Sequence, residues 1–175
     1  MMPLLLILRR IIMSEKNALI FRWVLLVGMC AVIFIFSSFP AEESSSQSSE
    51  IVNTIISVTV NDFDSKPVPE QNALTELLTV LVRKGAHFTE YAVLSALAFC
   101  AFVKIRKRFL RWLAAFAFAA VYSCSDEFHQ LFVPGRAGMV RDVILDSCGS
   151  AFGAFVACFI SLMVCARLII NNKQT

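Results

Sequence analysis

Residues 23–39 read WVLLVGMCAVIFIFSSF, an apolar run without an acidic or basic side chain. A helix needs ~20 apolar residues to cross the roughly 30 Å hydrocarbon core of a bilayer. Three more apolar stretches that approach or exceed this length follow at 86–103, 110–125 and 143–170. The sequence therefore predicts an all-α integral membrane bundle of four transmembrane helices.

The composition supports a membrane protein. Hydrophobic residues make up 58% of the 175-residue chain, whereas a soluble domain is about 45–50% apolar. The net charge of +3 is small, and no interleaving of basic and aromatic residues indicates nucleic-acid binding. The six cysteines form no C-x-x-C pair, so neither a disulfide framework nor a zinc ribbon is supported. The expected partner is the lipid bilayer.

The distribution of basic residues predicts the orientation, because short cytoplasmic loops are rich in Lys and Arg. The loop between the second and third spans, KIRKRFLR, has five basic residues and no acid, whereas residues 40–83 are mostly acidic where charged. We therefore expect both termini in the cytoplasm and the acidic segment outside. The predicted divisions are a cytoplasmic flank at 1–22, a transmembrane domain at 23–170 and a cytoplasmic tail at 171–175.

The segment between the first two spans predicts an extracytoplasmic amphipathic helical region. It starts with a Ser-rich stretch, PAEESSSQSSE, which we interpret as a linker. Apolar residues at helical spacing follow in SEIVNTIISV, and DSKPVPE then interrupts the pattern. Asn72 is the predicted N-cap of the next helix, which can run unbroken into the second span.

Polar residues converge at one membrane depth if this topology holds. The motif RKGAHFTEY lies at the outer end of the second span, SDEFHQ at the outer end of the third, and the fourth begins just beyond. At ~100° per residue, the side chains of each motif share a helix face or flank it. The predicted functional cluster comprises Lys84, His87, Glu90, Tyr91, Asp126, Glu127, His129, Gln130, Arg136, Asp142 and Asp146.

The fourth span carries a narrow stripe that predicts close helix packing. Asp142, Asp146, Gly149 and Gly153 follow at intervals of four, three and four residues. A G-x-x-x-G pair lets a second helix approach closely, so Gly149 and Gly153 are predicted packing residues. This contact would bring Asp146 against a neighbouring span.

Three interpretations of the polar cluster remain open. In the first, the charged groups turn inward and pair in a functional site, because they are costly in lipid. In the second, they lie among lipid headgroups. In the third, their pairs only hold the helices together. His87 and Glu90 have the H-x-x-E spacing, and with His129 they are candidate metal ligands. The sequence identifies no cofactor and no catalytic residue.

The motifs resemble those of the VanZ-like family of small bacterial membrane proteins. The similarity lies in KGAHFTEY (84–91), DEFHQLFVPGR (126–136) and RDVILDSCGSAFG (141–153). The family pattern has Asn or Asp at the position of Asp146. The family takes its name from a protein associated with resistance to the glycopeptide teicoplanin, so the resemblance implies a bacterial cell-membrane location and a role in the cell envelope.

Two functions follow as hypotheses. In the first, the outer pocket binds an anionic lipid headgroup or a cell-wall precursor, with Lys84 and Arg136 on the phosphate. Glycopeptide tolerance would then follow from altered envelope material. In the second, the chain is a membrane-embedded enzyme, with a metal ion or a histidine base acting on a lipid-linked substrate.

Overall fold

The computed structural model describes residues 15–173 and shows an all-α chain, as the sequence predicts. Within that range there are five α-helices, a short 3-10 helix at Phe63–Ser65 and no strand. The predicted flank at 1–22 and tail at 171–175 lie partly outside the described residues. The α-helices are α1 Glu15–Ser38, α2 Ala41–Thr59, α3 Val68–Ala101, α4 Arg108–Gln130 and α5 Val140–Lys173.

Helices α1 and α5 are long and apolar enough to cross a membrane. Their large side chains are mostly exposed, among them Phe21 and Phe34 on α1 and Phe155 and Phe159 on α5. A surface this apolar is unusual for a soluble monomer and is typical of helices that contact lipid. Helices α3 and α4 lack an apolar stretch of the same length and hydropathy, since the apolar part of each ends in the polar motifs.

The Ser-rich stretch is helical, so its interpretation as a linker is wrong. It forms the first half of α2, where Ser45, Ser48 and Ser49 donate hydrogen bonds to carbonyls four residues earlier at 2.7–2.9 Å. These bonds satisfy the hydroxyls within the helix. Ser48 also begins a buried stripe, continued by Val52 and Ile56 on the predicted helical segment, that packs against α3.

Helix α3 begins earlier than predicted. It starts at Val68, after Pro67, so Asn72 lies inside the helix and is not its N-cap. Pro69 in the first turn suits a helix start, because its fixed φ angle is helical and its missing N–H would have no partner within the helix. The helix then runs unbroken for 34 residues, or about 50 Å, so it is long enough to enter the second predicted span with its first turns outside the bilayer.

The most extensive helix contact joins α3 to α5, through small residues. A side chain added at Gly149 would collide with the carbonyl oxygen of Phe88, and one added at Gly153 would collide with that of Ala92. Beside them, the Ser95 hydroxyl donates to the carbonyl of Ser150. The G-x-x-x-G stripe is therefore the close-approach surface that its spacing predicts.

Candidate functional site

Helices α3 and α5 each contribute two polar side chains to the site, directly above their close contact. The Lys84 ammonium forms an ion pair with the Asp142 carboxylate. One turn further in, Nδ1 of His87 lies 3.8 Å from Oδ1 of Asp146, which is fully buried. The glycine contact brings these two turns together, so the packing of the bundle positions the site.

The last two turns of α4 add three buried polar residues, Asp126, Glu127 and Gln130. They extend a buried stripe that starts with Ala115 and Ala119 and includes Ser123. Gln130 donates a hydrogen bond to Asp126 at 3.2 Å.

The structure separates His129 from this group. Its Nε2 is 3.2 Å from the hydroxyl of Ser38, and its ring lies 4.7 Å from that of Phe34, both on α1. The centre of the buried stripe on α4 passes between Asp126 and Glu127, which leaves His129 about 100° away. Of the three candidate metal ligands, only His87 belongs to a close group of ligand atoms within residues 15–173, together with Glu127 and Asp146, and neither Glu90 nor His129 is part of that group.

Each of two buried carboxylates accepts a hydrogen bond at only one of its oxygens. Ser123 donates to Oδ2 of Asp146 at 2.8 Å, and the backbone N–H of Met139 donates to Oε2 of Glu127 at 2.8 Å. Oδ1 of Asp146, Oε1 of Glu127 and Nδ1 of His87 are buried without a hydrogen-bond partner in the described chain. Buried polar atoms are nearly always paired, so three unpaired atoms in one place require an explanation.

The turn between α4 and α5 brings Arg136 back over the site. Gly135 has a φ angle of +74°, which an L side chain rarely adopts. Arg136 then donates from Nε to the carbonyl of Phe39 and from Nη2 to that of Phe36, both at 3.1 Å. Its partners are thus backbone carbonyls at the end of α1, and Glu127 is bound by Met139.

Two clefts open beside these residues, and both are lined by Arg83, His87 and Arg136. The smaller, with a volume of about 300 Å³, also reaches Glu90 and the serines of α2. The larger has a volume of about 630 Å³. We call it the basic cleft; its charged and apolar walls include Arg83, Lys84, Arg136, Arg141, Asp142, Val80, Met139 and Leu145.

The predicted residues thus occupy different layers. Lys84 and Asp142 line the basic cleft, His87 and Arg136 line both clefts, and Glu90 lines the smaller one. Tyr91 is fully buried in the core below.

Burial lowers the pKa of the Arg136 guanidinium from its ordinary value, although nearby carboxylates oppose this shift.

The sequence prediction missed Arg83 and Ser123. Arg83 is the first residue of the RKGAHFTEY motif and lines both clefts, and its place in that motif is the signal that could have found it. Ser123 holds Asp146 from the neighbouring helix. Its position three residues before Asp126, in line with two buried alanines, indicated the same face of α4.

The fold and site define an all-helical protein with two helices apolar enough to span a membrane and a buried polar centre between its helices. The family model described as VanZ/LLP1 matches residues 21–162. The chain belongs to the VanZ/LLP1 family, in agreement with the resemblance of its motifs. Searches of curated proteins and of solved structures each found no significant match.

Proposed function

We propose that the chain is a multi-pass membrane protein of the bacterial cell envelope that binds a phosphate-bearing anionic lipid in its basic cleft. In this proposal α1, α3, α4 and α5 supply the four spans, and the cleft opens outside the cell. Both termini are cytoplasmic. The single observation that carries the proposal is the charge of the cleft walls.

Four cations line the basic cleft against one acid. Arg83 and Arg141 are exposed, and neither forms an ion pair with a described residue. Arg136 uses two of its five N–H donors on carbonyl oxygens, so three remain for a ligand. Guanidinium groups bind phosphate oxygens through paired charge-assisted hydrogen bonds, which makes a phosphate the ligand that this cleft suits.

Lys84 is less free than the sequence suggests, because Asp142 already neutralises it. The phosphate contacts therefore fall mainly to Arg83, Arg136 and Arg141. The apolar wall formed by Val80, Met139 and Leu145 lies beside these cations. It offers a surface for the first carbons of an acyl or polyprenyl chain, which favours a lipid over a free ion.

A cleft of this kind connects the protein to the envelope. Lipid-linked cell-wall precursors carry phosphate next to a long apolar chain, and glycopeptides act on the material that such precursors deliver. Sequestering or presenting a precursor would change that material, so tolerance to teicoplanin is an expected consequence of expression. It would be read as a higher inhibitory concentration in cells carrying the chain than in cells with an empty vector.

We expect the double variant Arg83→Gln/Arg141→Gln to bind phosphatidic acid at least tenfold more weakly than the unaltered protein. Each lost charge-assisted hydrogen bond is worth about 1.5 kcal/mol or more. Titration of purified protein in neutral detergent with phosphatidic acid measures this, with phosphatidylcholine and inorganic phosphate as parallel probes. Tight phosphatidic acid binding with weak inorganic phosphate binding identifies a lipid headgroup as the ligand.

The matched control is Arg106→Gln/Lys107→Gln, which removes the same charge from two exposed residues in the loop between α3 and α4. We expect it to bind phosphatidic acid like the unaltered protein. Equal weakening in both double variants would reduce the effect to general surface charge and exclude the basic cleft as the site.

We also expect an extracytoplasmic α2. A membrane-impermeant maleimide should label Ser46→Cys in intact cells, in a background with all six native cysteines removed, because Ser46 is exposed on α2. Lys107→Cys, in the basic loop, should react only after lysis. The reverse pattern would overturn the topology and place the basic cleft on the cytoplasmic side.

A further inference from the structure

Three unpaired atoms come from three different helices, and one of the three residues, His87, lines both clefts. His87 belongs to α3, Glu127 to α4 and Asp146 to α5. One ligand atom from each side chain lies within 4.8 Å of the other two. Asp146 is 0% exposed and Glu127 is 5% exposed, and each has one oxygen without a partner. Two buried carboxylates this close repel each other unless a cation or a proton lies between them.

The surroundings fix both carboxylates in place. Ser123 holds the outer oxygen of Asp146, and the N–H of Met139 holds the outer oxygen of Glu127. The second oxygen of each carboxylate is therefore left free to bind another group. Hydrogen bonds to the non-ligating side of a metal-binding group are the usual means of orienting it.

The distances also suit an ion. At 3.8 Å, the His87 Nδ1 to Asp146 Oδ1 separation is too long for a hydrogen bond. Two ligands that are each ~2.1 Å from a tetrahedral metal ion lie about 3.4 Å apart, so this pair must close by about 0.4 Å. At the 4.8 Å limit, a ligand atom must move about 1.4 Å to reach the same spacing, which rotation of a side chain can supply.

We propose that His87, Glu127 and Asp146 bind one divalent transition-metal ion, such as Zn²⁺ or Mn²⁺, on the buried side of His87. One imidazole and two carboxylates favour these ions over Ca²⁺ and Mg²⁺, which prefer ligand sets made only of oxygen. Three protein ligands leave at least one coordination position open, as in metal sites that accept a water or a ligand. His87 lines both clefts, so the clefts are the route by which an ion would enter.

This site is independent of the phosphate proposal, because none of its three ligands is one of the cleft arginines. The test uses full-length protein purified in neutral detergent, stripped with a chelator and dialysed against Zn²⁺, Mn²⁺ or Co²⁺ alone. Bound metal is measured by elemental mass spectrometry, and bound Co²⁺ by its visible d–d absorption. We expect one ion per chain and a Co²⁺ spectrum typical of nitrogen and oxygen ligands.

The variants should lose metal binding to different degrees. His87→Gln and Glu127→Gln should lose stoichiometric metal, whereas Ser123→Ala, which removes only the hydrogen bond that orients Asp146, should weaken affinity about 10–100-fold. His129→Gln is the matched control, since it removes the other histidine of the chain and should retain one ion. Size-exclusion chromatography of each apo variant reports whether it is folded.

Absence of a stoichiometric ion in the unaltered protein would overturn the proposal and would indicate a shared proton between the two buried carboxylates. An ion that is retained in His87→Gln but lost in His129→Gln would also overturn it. If every direct-ligand variant misfolds, the unaltered protein still decides, through its Co²⁺ spectrum and through loss of that spectrum on chelation. Normal metal binding in the Arg83→Gln/Arg141→Gln variant separates this site from the phosphate proposal.

Discussion

Replacing Gly149 or Gly153 with leucine should nearly abolish the yield of folded protein. A side chain at either position meets a backbone carbonyl of α3, that of Phe88 or that of Ala92. A backbone atom cannot move aside as a flexible side chain can, so α3 and α5 must separate. Overpacking usually costs 1–3 kcal/mol, and a leucine against rigid backbone should cost about 3 kcal/mol or more at each position.

The control is Gly28→Leu on α1, where an added Cβ atom meets nothing within 4 Å. Leucine also has a higher helix propensity than glycine, by somewhat under 1 kcal/mol. We therefore expect normal yield for Gly28→Leu. The yield of Gly149→Ala should lie between those of Gly149→Leu and Gly28→Leu. Monodisperse protein recovered by size-exclusion chromatography after membrane extraction gives the comparison. Equal recovery of Gly149→Leu and Gly28→Leu would mean that α3 and α5 do not pack through this stripe.

The helices and their close contact could be predicted from the sequence because their determinants are local. Length and apolarity define α1 and α5, and the spacing of Asp146, Gly149 and Gly153 defines one face of α5 without any knowledge of its partner. The sequence leaves the partner helix open, because the polar motifs of the second and third spans are both predicted at the depth of Asp146. The periodicity of a single helix was sufficient for each of these predictions.

Other features depend on contacts that no local pattern encodes. The Ser-rich stretch folds as a helix because Ser48 packs against α3, which serine content alone does not indicate. The spacing of the motif groups His129 with Asp126, but the buried stripe of α4 leaves His129 facing α1. Arg136 binds carbonyl oxygens of Phe36 and Phe39, and backbone acceptors leave no signal in a sequence.

The packing and the site are linked through α5. Its glycines fix the height of α3, and this height sets the distance between His87 and Asp146. The first residues of α5 are fixed from the other side, because Glu127 accepts from the N–H of Met139 just before the helix begins. A change in either contact should therefore alter the polar centre even where the substituted residue does not touch it.

Removing the Arg136 side chain should destabilise the protein by about 2 kcal/mol, although this side chain forms no ion pair with the buried acids. Two charge-assisted hydrogen bonds to the end of α1 are lost, each worth about 1.5–3 kcal/mol in full burial and less here, where Arg136 is partly exposed. The turn that carries Gly135 is then no longer tied to α1. Thermal denaturation of Arg136→Ala in detergent should show a lower midpoint than the unaltered protein.

Arg136→Lys and Arg141→Ala separate anchoring from charge. Lysine keeps the charge but lacks the planar fork and the Nε–H that reaches Phe39, so its midpoint should lie between those of Arg136→Ala and the unaltered protein. Arg141 is exposed and makes no hydrogen bond or ion pair with a described residue, so Arg141→Ala should keep the full midpoint and lose only phosphatidic acid affinity. An unchanged midpoint in Arg136→Ala would show that the guanidinium does not anchor the turn. If the affinity of Arg136→Ala for phosphatidic acid were unchanged as well, Arg136 would neither anchor the turn nor bind the ligand in the basic cleft.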